Sequence, residues 1–184
     1  KAHNLTIGAN GNEGSVATLD LANADGRAVT VAESSSIASF ISSGGARTAT
    51  LVVNNGQTLT LGGPEGLKAD GTAQAAGDFT ALGNVTLGPG GNGGALVVDI
   101  DTVLGGTIDD DVNGGAILTV SANKTVTFTG VIGGNALAEI NLNNGSVTTF
   151  GAAVTSTDIK FNGGTATAAG LTKGAVVFAA NGGT

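Results

Sequence analysis

Short runs in which apolar residues alternate with Thr, Asp or Asn recur along the whole chain. They fall at 5–7, 16–21, 28–31, 37–41, 50–53, 58–61, 79–82, 84–87, 96–100, 117–120, 125–128, 139–142, 146–150, 158–161 and 176–178. Nearly all are three to six residues long, and period-two alternation marks a half-buried strand. Between them stand Asn10-Gly11, Asp25-Gly26, Asn55-Gly56, Asn144-Gly145, Asn162-Gly163-Gly164 and Asn181-Gly182-Gly183. These pairs supply the positive φ that tight corners require. No stretch carries apolar residues spaced at three and four with a cap at each end, so no helix is predicted.

Strands this short do not make a stable sandwich alone, and the distinguishing feature is near-repetition. The turn-then-strand unit at 54–61 is echoed at 120–128 and 143–150, and in shorter form at 83–87. In the second half, matched apolar positions recur every 17 to 22 residues: Leu118 with Ile140, Val126 with Val147, Ile140 with Ile159, Ile159 with Val176. A period near 20 with two or three strands per period predicts a β-solenoid, each strand pairing in parallel with its copy one coil on. The expected fold is therefore all-β, a single right-handed parallel β-helix over residues 1–184 with eight or nine coils. Val126, Phe128, Ile140, Leu142, Val147 and Ile159 are expected inside it. The stretch 62–78, with Pro64 and several glycines, reads as a loop excursion, and 88–94 as a wide turn between coils.

Composition narrows the picture. Gly makes 33 of the 184 residues, the only aromatics are six Phe, and Thr, Val and Ile far outnumber the helix formers Glu, Lys, Arg, Gln and Met. Charged residues are 11%, so little repulsion opposes collapse. Net charge is −7, and with no Tyr or Trp the chain lacks the basic footprint and stacking platforms that nucleic acid needs. The same shortage of cations argues against membrane binding through a polybasic helix, and no run of about 20 apolar residues could span a bilayer as a helix. Cys is absent, which suits a reducing compartment or an export route that avoids disulfides. Position 1 is Lys with no signal segment, which predicts a piece of something longer.

The inventory for catalysis is thin. The one His is His3, near a terminus, and no Gly-x-Ser-x-Gly elbow exists. Asp99 and Asp101 lie two apart in a predicted strand and so would share a face, as a sugar-cleaving carboxylate pair does. The alternation Val98-Asp99-Ile100-Asp101 also fits two solvated acids over a core filled by Val98 and Ile100. The run Asp109-Asp110-Asp111-Val112-Asn113-Gly114 matches the first half of an EF-hand-type loop, with Asp109, Asp111 and Asn113 at the first three ligand positions. Val120 stands where the bidentate Glu belongs. Gly105-Gly106, Asp110 and Val112 also keep part of a calcium-binding nonapeptide, without its tandem copies. An acidic surface turn is the simpler expectation, and no catalytic, cofactor or metal residue is assigned. The glycine-rich stretches open onto strands rather than helices, so they are not phosphate cradles.

The segment 115–184 resembles the passenger domains of rickettsial surface cell antigens, autotransporters of the outer-membrane protein A and B type. The likeness is carried by Thr125-Val126-Thr127-Phe128, Gly133-Gly134-Asn135-Ala136-Leu137, Ile140-Asn141-Leu142, Asn143-Asn144-Gly145, Phe150-Gly151-Ala152-Ala153-Val154 and Asp158-Ile159-Lys160-Phe161. Weaker pieces extend it back to about residue 83, and before that the match is compositional. The resemblance implies export through a C-terminal barrel, display on the bacterial surface and adhesion to a host cell-surface protein, with no enzymatic activity. A self-assembling S-layer or fibre-type subunit is the alternative. An open edge at Ala175-Val176-Val177-Phe178 predicts end-to-end self-association.

Overall fold

The computed structural model describes residues 18–20, 28–31, 34–37, 39–41, 49–62, 73–79, 82–88, 92–112 and 114–178. Strand β1 (Thr18–Asp20) is followed by a turn holding β2 (Ala28–Val31), β3 (Ser35–Ile37) and β4 (Ser39–Ile41). The next turn has β5 (Ala49–Val53), β6 (Thr58–Leu61) and a 3-10 segment at Ala76–Phe79. Then come β7 (Leu82–Leu87), β8 (Ala95–Val98) and β9 (Thr102–Leu104), followed by β10 (Ile108–Asp110), β11 (Ile117–Val120) and β12 (Thr125–Phe128). Last are the long strands β13 (Ile132–Asn143), β14 (Val147–Asn162) and β15 (Thr165–Phe178).

Every named strand pair is parallel, and the pairs form three columns. The first face stacks β2, β5, β7 and β10, then the starts of β13 and the middle of β14. The second stacks β3, β6, β8, β11, the end of β13, the end of β14 and the end of β15. The third stacks β9, β12, the start of β14 and the start of β15, with β1 and β4 paired below. This is a parallel β-solenoid with three strands to a turn. Four consecutive turns (82–104, 108–128, 132–150 and 154–168) have all three faces paired. Among the described strands the longest column reaches seven levels, fewer than the eight or nine coils expected, because one step of it, from Leu59 to Leu96, takes 37 residues in place of about 20.

The interior is built one ladder at a time. Leu59, Leu96, Leu118, Ile140 and Ile159 stack in register on the second face, each 0–3% exposed. Fully burying one such side chain contributes about 1.5–3 kcal/mol, and each gains it only because the turns above and below are in place. Successive members are 22, 22 and 19 residues apart from Leu96 onward, whereas Leu59 to Leu96 takes 37. Most of the stretch 62–78 in that longer step lies outside the described residues. Within it, the 3-10 segment buries Phe79 and accepts a hydrogen bond at the Ala76 carbonyl from Thr102 Oγ1, 2.9 Å. The run at 79–82 is thus a 3-10 end and a strand start, not one strand.

On the third face Phe128 and Phe150 stack with ring centroids 5.5 Å apart and planes at 12°. That pair fixes the side of the strand that faces inward. Thr148, two residues before Phe150, is 1% exposed in register with Val126, while Val147 is 50% exposed. The expected match of Val126 with Val147 is therefore off by one residue. The other five positions expected inside are buried.

Corners explain the glycines. Of the stretch 88–94, residues 88 and 92–94 are described, and they lie between β7 and β8 within one turn rather than between coils. Gly93 has φ +66°, and a Cβ there would run into the Gly115 carbonyl one turn on. At another corner Gly83, Gly106 and Gly130 stack so closely that a Cβ on Gly106 would meet the Gly83 oxygen, and one on Gly130 the Gly106 oxygen.

Candidate functional site

The acidic run at the end of β10 is a turn lock. Asp110 takes the inward ladder position above Val53 and Leu87 and is 1% exposed. Its Oδ2 accepts the backbone N–H of Gly114 (3.1 Å), Gly115 (2.9 Å) and Ala116 (3.0 Å), closing the corner into β11. Its Oδ1 is buried without a protein partner. Asp109 is half-buried and accepts the Asn135 N–H at 3.1 Å, while the Asn135 amide donates to the carbonyls of Asp110 and Asp111. Asp111 is exposed, and Asn113 lies outside the described residues. The acidic run is therefore not wholly a surface turn, since Asp110 is buried, and Gly105-Gly106 serves the glycine stack. Among the described residues, no group of three or more His, Cys, Asp or Glu is placed to hold a metal ion.

Asp99 and Asp101 sit at the corner between β8 and β9, not together on a strand. Buried Ile100 separates them, and each reaches one turn on: Asp101 Oδ1 accepts the Thr125 N–H at 2.7 Å, and Asp99 pairs with Lys124 at 3.8 Å. A half-exposed ion pair of this kind is worth about 0–1 kcal/mol. His3 lies outside the described residues.

Asp101 and Asp109 belong to a set. Ser34 Oγ accepts the Thr58 N–H, and Asn84 Oδ1 accepts the Thr107 N–H, each from one turn on. At corners, where the strand ladder breaks, a side-chain oxygen replaces the missing carbonyl. The signal for this was present as a polar residue spaced 23 to 26 before its partner.

Two surface features were not anticipated. On the second face Glu139 contacts Lys160 from the next turn and accepts from Asn141 Nδ2 at 2.6 Å. Burial raises the Glu139 pKa, but the hydrogen bonds from Lys160 and Asn141 and the Lys160 charge outweigh it, leaving the carboxyl below its ordinary value. The third face carries an outward array of Thr and Val. Val103, Thr127, Thr149 and Thr167 form one row, and Thr125, Val147 and Thr165 the next. These rows are uncharged, with Val103 44% and Val147 50% exposed. Among the described residues no helix is long and apolar enough to cross a membrane.

Over 132 residues, 71% of its length, the chain is 33% identical to Outer membrane protein A of Rickettsia rickettsii. Over 112 residues, 60% of its length, it is 34% identical to Outer membrane protein A of Rickettsia conorii. The chain is similar to a segment of rickettsial outer membrane protein A. The resemblance to rickettsial surface antigens is borne out by these relatives, and the solenoid is the fold that the strand period predicted. The chain spans only 6% and 5% of the lengths of these two proteins. No family model matches the chain. No solved structure matches it either.

Proposed function

We propose that the chain is a non-enzymatic segment of a passenger displayed from a bacterial outer membrane, and that it acts in adhesion to a host cell-surface protein. The similarity to Outer membrane protein A over 71% of the chain carries this reading. The solenoid supports it physically, since stacked turns project a surface outward with each turn held only by its neighbours. The acids at the corners are engaged in holding the fold, Asp99, Asp101 and Asp109 by joining turns and Asp110 by closing its own corner, which favours scaffold over catalysis. The third face, with its uncharged Thr and Val rows and exposed Val103 and Val147, is the surface best suited to a protein partner.

The test is binding of beads coated with the purified chain to cultured host cells. Beads carrying the wild type should bind more than uncoated beads, and Val147→Lys with Thr149→Lys should lower binding. Binding no greater than that of uncoated beads would overturn adhesion by this segment. Polymers in sedimentation alongside that result would favour the self-assembling alternative, for which the edge of β15, paired only with β14 among the described strands, is the relevant feature.

A further inference from the structure

Two successive levels of the second face bring a lysine, a glutamate and an asparagine together. Lys160 of β14 is the register partner of Asn141 of β13. Glu139, two residues before Asn141 and so on the same side of the strand, reaches both. One carboxylate oxygen meets Lys160 Nζ and the other accepts from Asn141 Nδ2. All three residues are half-buried. Register partners in neighbouring strands sit about 4.8 Å apart, well within the reach of a lysine side chain. An ion pair needs only the lysine and the glutamate. The asparagine adds an amide carbon beside an amine and a base.

We propose that Lys160 and Asn141 form a self-modification site, joined by an isopeptide bond with Glu139 as the proton carrier. Glu139 takes a proton from the Lys160 ammonium, and the neutral Nζ attacks Asn141 Cγ, forming the Nζ–Cγ bond. The Cγ–Nδ2 bond breaks, and Glu139 returns its proton to the leaving nitrogen. The second proton shed by Nζ departs with it, so ammonium leaves and charge balances. No oxidant or cofactor enters. Holding amine, base and amide in one geometry makes the step intramolecular, the condition under which effective concentrations become very large. The product adds a covalent staple from one turn to the next beside the backbone ladder and the buried Ile140–Ile159 step.

The test is mass spectrometry of the purified chain after incubation at neutral pH. The intact mass should fall short of the sequence mass by about 17 Da, that of ammonia. Lys124, Lys160 and Lys173 are consecutive basic residues, so trypsin normally yields peptides 125–160 and 161–173. With Lys160 acylated, a single peptide 125–173 should appear, lighter by the same amount. Lys160→Arg and Glu139→Gln should each restore the full mass. Should either variant fail to fold, the wild-type peptide remains decisive. Full sequence mass with complete cleavage after Lys160 would overturn the proposal, leaving an ion pair only. A gain of about 1 Da, from deamidation of Asn141, would do the same.

Discussion

Exchanging the chemistry of two adjacent residues on the third face tests which of them points inward. Thr148 is 1% exposed, lies in register with Val126 and Ala166, and its Oγ1 is buried with no hydrogen-bond partner. A buried hydroxyl left unpaired costs about 1–3 kcal/mol, and Val has nearly the same shape with a methyl in its place. Thr148→Val should therefore stabilise the chain by about 1–2 kcal/mol, which with an m-value of about 2 kcal/mol/M moves the urea midpoint up by about half to one molar. Val147→Thr, at a position 50% exposed between Thr125 and Thr165, should change stability by no more than about 0.5 kcal/mol. Both are read from urea titrations followed by far-ultraviolet circular dichroism. A destabilised Thr148→Val, or a strongly stabilised or destabilised Val147→Thr, would mean that the strand faces the other way and that the Phe128–Phe150 stack is not what sets its side.

Other outcomes follow from the same geometry. Asp110→Ala strips the acceptor from three backbone N–H groups and should cost about 3 kcal/mol or more, measured by urea unfolding. Gly106→Ala should cost about 3 kcal/mol through its clash with the Gly83 carbonyl, whereas Gly77→Ala, with open space around it, should stay within about 0.5 kcal/mol. Because Asp110 is committed to its own corner, millimolar calcium should leave the melting temperature essentially unmoved; a rise of several degrees would show a site that the corner does not explain. In the isolated chain, sedimentation at rising concentration should show association, and Val177→Pro, which removes an N–H from β15, should weaken it more than Thr6→Pro.

The second-face ladder was legible because its members are large and aliphatic and recur at a steady interval. Short strands with weaker patterns were not: β9, β10 and the starts of β13 and β15 hold few apolar residues and are flanked by glycines or threonines. The error at Val147 is instructive. Counting from the positive-φ corner residue, the third and fifth positions face inward after Gly56 (Leu59, Leu61) and after Asn123 (Val126, Phe128). The same count from Gly145 gives Thr148 and Phe150, so the repeat held the answer that hydrophobicity hid. Asp110 escaped for a related reason: a carboxylate at an inward position breaks the alternation rule, and only the three N–H groups of a corner not yet folded could reveal its purpose. The Glu139–Asn141–Lys160 group joins residues about 20 apart, and it becomes visible only once the register is known.

The corner bonds, reaching within a turn or to the next one and no further, have a consequence for how such a protein changes over generations. Leu96 and Leu118 occupy equivalent places, as do the residues around them. Removing 97–118 from the gene would join Leu96 to Thr119 and set like against like at every face. A turn can thus be lost or copied as a word is lost from or copied into a sentence whose grammar reaches only one word ahead. Length becomes a quantity that inheritance can adjust freely, while the surface carried at any given height is left intact.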